Sequence, residues 1–140
     1  MPYKLLPDVA LADIAFEADS STKNGLFETC CRALTEIMVD RKGVRPRVGK
    51  TFTIKGDTLD NMLYDLLTEI IVVKDVDSLL FSGCRVVLAD DASSLTASFK
   101  GEPIDRKRHR LRNDVKAVTM HMFGVKTVAG RWKATVVLDI

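Results

Sequence analysis

The chain has 140 residues, 46% hydrophobic and 29% charged, with a net charge of +2. This is the balance of a soluble globular protein, and it excludes the disordered and collagen-like classes. One domain spanning residues 1–140 is expected, because a chain of this length buries a core without disulfides or structural zinc.

The longest aliphatic run is Ile70-Ile71-Val72-Val73, whereas a spanning helix needs about 20 apolar residues. The opening Met1-Pro2-Tyr3-Lys4-Leu5-Leu6-Pro7 carries no apolar signal core and no small-residue cleavage site. A cytoplasmic protein with no membrane partner is therefore expected. The three cysteines, Cys30, Cys31 and Cys84, show no CxxC spacing, which disfavours zinc and a disulfide framework; Cys30 falls in a helical apolar stripe and reads as core.

In chain order, Ala12 to Asp19 alternates apolar and acidic residues over part of its length, the period of a half-buried strand, and places Asp13, Glu17 and Asp19 on one face. From Lys23 the period becomes helical, with Leu26, Cys30, Leu34, Ile37 and Met38 recurring after a Ser20-Ser21-Thr22 cap and ending before Arg41-Lys42-Gly43, where the glycine can stop the helix. Val48 to Lys55 reads as a strand. Asp57-Thr58 then caps a second helix carrying Leu59, Met62, Leu63, Leu66, Leu67, Ile70 and Ile71. Its polar stripe holds Asp65 and Glu69 one turn apart, a carboxylate pair that is also what any amphipathic helix shows to water.

Beyond Asp77 the chain is strand-like: Leu80 to Ala89, Leu95 to Lys100, Val115 to Phe123, Val125 to Val128 and Trp132 to Leu138. Asp90-Asp91, Gly101-Glu102-Pro103, Gly124 and Ala129-Gly130 are the breaks, and the last three runs are spaced for a meander. Two helices outside strict βαβ alternation argue for an α+β fold with a largely antiparallel sheet.

There is no GxGxxG and no GxxxxGK[ST] loop, so nucleotide binding has no support. The histidines, His109 and His121, accompany no nucleophile motif. Basic residues concentrate in two segments, one with Arg41, Lys42, Arg45, Arg47 and Lys50, the other with Arg106, Lys107, Arg108, Arg110 and Arg112. Such loops can meet RNA or an acidic partner, or be merely solvated. Asp139 follows the apolar run Ala134 to Leu138 with only Ile140 after it. The Asp139 side chain and the terminal carboxylate can thus converge on a hard cation that prefers oxygen ligands.

The segment Gly101-Glu102-Pro103-Ile104-Asp105, His109 and Val115-Lys116-Ala117-Val118-Thr119-Met120-His121 resembles the archease signature, and Trp132 with Val136-Val137-Leu138-Asp139-Ile140 continues it. Met62 to Glu69, and Ala12-Asp13-Ile14 with Phe27-Glu28 and Met38-Val39-Asp40, resemble the family's helices and opening strand. The resemblance implies an archease-like fold and an accessory protein, not an enzyme, that promotes guanylylation and multiple turnover of the GTP-dependent tRNA-splicing RNA ligase, meeting tRNA through that partner. The alternative is a chaperone-like binding module for another tRNA-processing or tRNA-modifying enzyme. The resemblance further implies a divalent cation, Ca²⁺ first with Mg²⁺ or Mn²⁺ as alternatives, held by Asp13, Asp139 and Ile140. Partner contacts are expected from Lys116, Asp65, Glu69, Arg106, Arg108 and His109. The family's opening His-Thr-Ala-Asp is Ala10-Leu11-Ala12-Asp13 here, so the aspartate is kept while the histidine and threonine are replaced.

Overall fold

The computed structural model describes residues 3–6 and 13–140. Its elements run β1 (Tyr3–Leu6), β2 (Asp13–Ser20), α1 (Lys23–Met38), β3 (Val48–Lys55), α2 (Leu59–Asp77), β4 (Leu79–Leu88), β5 (Ser94–Pro103), β6 (Ala117–Val128) and β7 (Arg131–Asp139). Every strand pair is antiparallel. The strands form two sheets, one ordered β1-β2-β7-β6 and the other β3-β5-β4, and the α+β expectation resolves into this pair.

Both helices begin where the caps were expected. The Thr22 hydroxyl accepts from the Gly25 N–H and the Thr58 hydroxyl from the Asn61 N–H, satisfying amides that the first turn leaves open. The end of α1 differs from expectation. The chain turns extended at Val39, which bridges Leu111, and Arg41–Gly43 forms a separate 3-10 turn capped by Asp40, so Gly43 does not stop the helix.

The alternation in β2 sends Phe16 and Ala18 inward, where they meet Val136 and Ala134 of β7. Against this face and the inner face of the second sheet pack the buried stripes of α1, with Leu26, Phe27, Cys30 and Leu34, and of α2, with Leu63, Leu66, Leu67 and Ile70. Cys30 is fully buried, as its stripe required. No described helix is long and apolar enough to cross a membrane.

The C-terminal strands depart from a three-run meander. Residues 117–128 form one strand, and β7, after its hairpin with β6, pairs with β2 at the other end of the sequence. Thr119 faces Val137 and Gly124 faces Thr135, so Met120 to Phe123 stand against Val136 alone. The surplus is absorbed as a bulge, with Met122 in the left-handed region at φ 56, instead of a turn at Gly124. The β6–β7 connection is the two-residue Ala129-Gly130 turn, both at positive φ, as a tight hairpin requires.

Candidate metal centre and the buried acid cluster

The pairing of β2 with β7 decides where the expected metal residues lie. Asp13, the first residue of β2, is the direct cross-strand partner of Asp139, the last of β7. Directly opposed residues project to the same side with Cβ atoms about 4.5–5.5 Å apart. On the other flank Asp139 faces Ala117, a side chain too small to cover it. Both aspartates are half-buried, and among the described residues neither forms an ion pair.

Lys116 lies at the same place. Its backbone N–H donates to the Asp139 carbonyl at 2.8 Å, and one further step of the β6–β7 register sets it against Ile140. The strand starts at Ala117, so Lys116 sits just before it with an exposed side chain. The approach to Lys116 is fixed by Lys74 of α2, whose buried ammonium donates to the Val115 carbonyl and to Asp114, both at 2.7 Å, and also pairs with Asp75 at 2.9 Å. The hydrogen bond from Lys74 holds the Asp114 carboxyl below its usual range. The sequence reading missed Lys74, although it continues the Leu63, Leu67, Ile70 and Ile71 stripe and so interrupts a core face with a charge.

Asp13, Asp139, Ile140 and Lys116 therefore gather at one end of the four-stranded sheet. Asp65 and Glu69 do not join them in a carboxylate cluster; they lie on α2, Asp65 exposed and Glu69 half-buried, beside a turn whose Tyr64 packs edge-on against Phe123. Among the described residues no group of three or more His, Cys, Asp or Glu side chains is placed to hold a metal. A cation at Asp13 and Asp139 would thus need the Ile140 carboxylate and water or partner oxygens. These are hard donors of the kind Ca²⁺ takes six to eight of. Ala10, Leu11 and Ala12 lie outside the described residues.

A second acidic site has the opposite character. Glu102, 1% exposed, accepts from the Arg45 backbone N–H at 2.7 Å, from His109 Nε2 at 2.9 Å and from the Arg108 guanidinium. The Asp105 N–H points at His109 Nδ1 at 2.9 Å, which leaves Nε2 to carry the proton given to Glu102. The hydrogen bond from Arg108, followed by those from Arg45 and His109, brings the Glu102 carboxyl down to about 2. Arg108 also donates to the Gly43 carbonyl at 2.7 Å. His109 is buried and Arg108 half-buried, and through these contacts both hold the loop to the body of the protein. Arg106 is exposed, as a contact residue would need to be.

A model of the Archease protein family matches residues 3–140. The protein archease of Thermococcus gammatolerans is 32% identical over 132 residues, covering 92% of this chain and 93% of that one. That of Methanopyrus kandleri is also 32% identical, with each chain covered in full. The solution structure of Methanobacterium thermoautotrophicum protein 1598 superposes with a TM-score of 0.82 at 30% identity, covering 99% of both chains. The crystal structure of a Thermotoga maritima archease, described as a possible chaperone, gives a TM-score of 0.66 at 18% identity over 96% of both chains, a likeness of fold.

Proposed function

Because the chain belongs to the archease family, we propose that it is a metal-binding accessory protein that activates a GTP-dependent tRNA-splicing RNA ligase by promoting its guanylylation and multiple turnover. The observation that carries the reading is the direct opposition of Asp13 and Asp139, residues 126 positions apart in sequence that are cross-strand partners at the end of β2 and β7. Like charges placed directly opposite on neighbouring strands disfavour the pairing, and a divalent cation would turn that repulsion into attraction. Asp13, Asp139 and the Ile140 carboxylate would hold the cation, which supplies a fixed positive charge with coordination positions left for a partner. Lys116, exposed beside them, adds a mobile cation that can meet a phosphate or carboxylate of the partner.

The test is a ligation assay with RNA substrate in excess over ligase. With this protein added, product should exceed one equivalent per ligase, and Asp13→Asn should hold it near one. Product that stays at one equivalent with the wild-type protein would remove the proposal.

A further inference from the structure

The solvent face of the three-stranded sheet differs from that of its neighbour. On the four-stranded sheet three of the four strand cations are answered locally, Lys133 and Lys4 at Glu17 (3.6 and 4.0 Å) and Arg131 at Asp19 (3.0 Å), and Lys126 is the exception among the described residues. On the three-stranded sheet the cross-strand rows pointing outward are Gly49, Lys100 and Gly83, then Thr51, Ser98 and Arg85, then Thr53, Thr96 and Val87, with Lys55 opposite Ser94 at the end. No acidic residue stands in these rows. Lys55, Arg85 and Lys100 are exposed, and none forms an ion pair among the described residues.

Lys100 and Lys55 mark the ends of a track six residue steps long along the strands, about 20 Å at roughly 3.3 Å per step. Gly49 and Gly83 flank Lys100 without side chains, leaving a shallow depression of about 510 Å³ that Thr51, Ser98 and Arg85 also line. The acidic Asp90-Asp91 turn bounds the track beyond Lys55.

We propose that this face binds the phosphate backbone of a single-stranded nucleic acid, with Lys55, Arg85 and Lys100 neutralising phosphates and the Thr51, Thr96 and Ser98 hydroxyls donating to their oxygens. Phosphate contacts come from these side-chain types. Protein interfaces centre instead on buried aromatic or apolar anchors, and the only large apolar group in the rows is Val87. With no aromatic side chain in the rows to stack a base, the contacts are to phosphate alone, and these carry no sequence information. The inference does not depend on the ligase or on the metal site.

The test is anisotropy of a labelled oligouridylate titrated with the whole protein over a series of salt concentrations, alongside a polyglutamate of similar length. Three neutralised phosphates give a log–log salt slope of about −2, at about −0.7 for each contact on a single strand. The variant Lys55→Gln, Arg85→Gln, Lys100→Gln should bring the slope close to zero and weaken binding at low salt at least about tenfold, with an unchanged melting temperature. Single variants should each remove about 0.7 of slope. The triple variant binding like wild type would overturn the proposal, as would polyglutamate bound as tightly through the same three residues, which would make the face a site for acidic protein.

Discussion

Two acidic sites in this molecule use the same functional group in opposite ways. Glu102 is enclosed by Arg108, His109 and the Arg45 amide, whereas Asp13 and Asp139 face each other with no ion-pair partner among the described residues. A carboxylate surrounded by donors has spent its bonding capacity on the fold. Two carboxylates set against each other, with no ion-pair partner among the described residues, retain theirs. The contrast separates acids that hold the loop from acids available to a ligand, and it can be broken by experiment.

The strongest break is Glu102→Gln. An amide cannot accept from the Arg108 guanidinium, the Arg45 amide and His109 as a carboxylate does, and it leaves the half-buried Arg108 guanidinium without its counter-charge. We expect the largest loss of stability of any variant named here, read as the fall in melting temperature. Next is Gly101→Ala, one residue away. A Cβ there would meet the Leu80 carbonyl oxygen at 1.9 Å and the Phe81 Cα at 2.7 Å, both backbone atoms that cannot swing aside. The cost should reach about 3 kcal/mol, the upper end for overpacking, in denaturant unfolding.

Acid sharpens the same comparison. The Glu102 carboxyl is lowered from 4.5 to about 2 in the folded protein, so its contribution is present above about pH 4.5 and is lost as pH falls through about 2. The stability gap between wild type and Glu102→Gln should accordingly narrow over that window and stay constant above it. A gap independent of pH would mean the carboxylate's charge is not what holds the loop.

Asp13→Asn, the same carboxylate-to-amide change at the open site, should act with the opposite sign when no divalent cation is present. Removing one of two facing charges should leave stability unchanged or raise it by about 0.2–1 kcal/mol. The smallest effect on folding belongs to Lys116→Ala, an exposed position whose loss should shift stability by less than about 0.5 kcal/mol while reducing ligase activation. A large loss of stability with activation intact would make Lys116 structural.

What the sequence made legible follows the range of the interactions involved. Local periodicity and capping located α1, β3 and α2 closely, because Thr22 and Thr58 act within three residues of themselves. The β2–β7 pairing was reached only through the resemblance, which brought Asp13 and the chain's end together. Periodicity carries no information on which strands pair. The four-residue β6 bulge looked like a turn at Gly124, since glycine marks both. The Glu102 cluster escaped because its partners come from residues 45, 108 and 109, and a buried glutamate in a strand-and-loop segment cannot be told from a solvated one without knowing what folds over it. Lys74 carried a readable signal, a charge in register with an apolar stripe. β1 is too short for periodicity to mark it.

The open site is tested most directly by thermal unfolding of wild type and Asp13→Asn, each with and without Ca²⁺. If the cation binds only the folded state at Asp13, Asp139 and the Ile140 carboxylate, wild type should gain about 2.7 kcal/mol at a hundredfold excess over the dissociation constant, and Asp13→Asn should gain much less. Equal gains in the two proteins, or none in wild type with Ca²⁺, Mg²⁺ or Mn²⁺, would contradict the assignment of these residues to a metal.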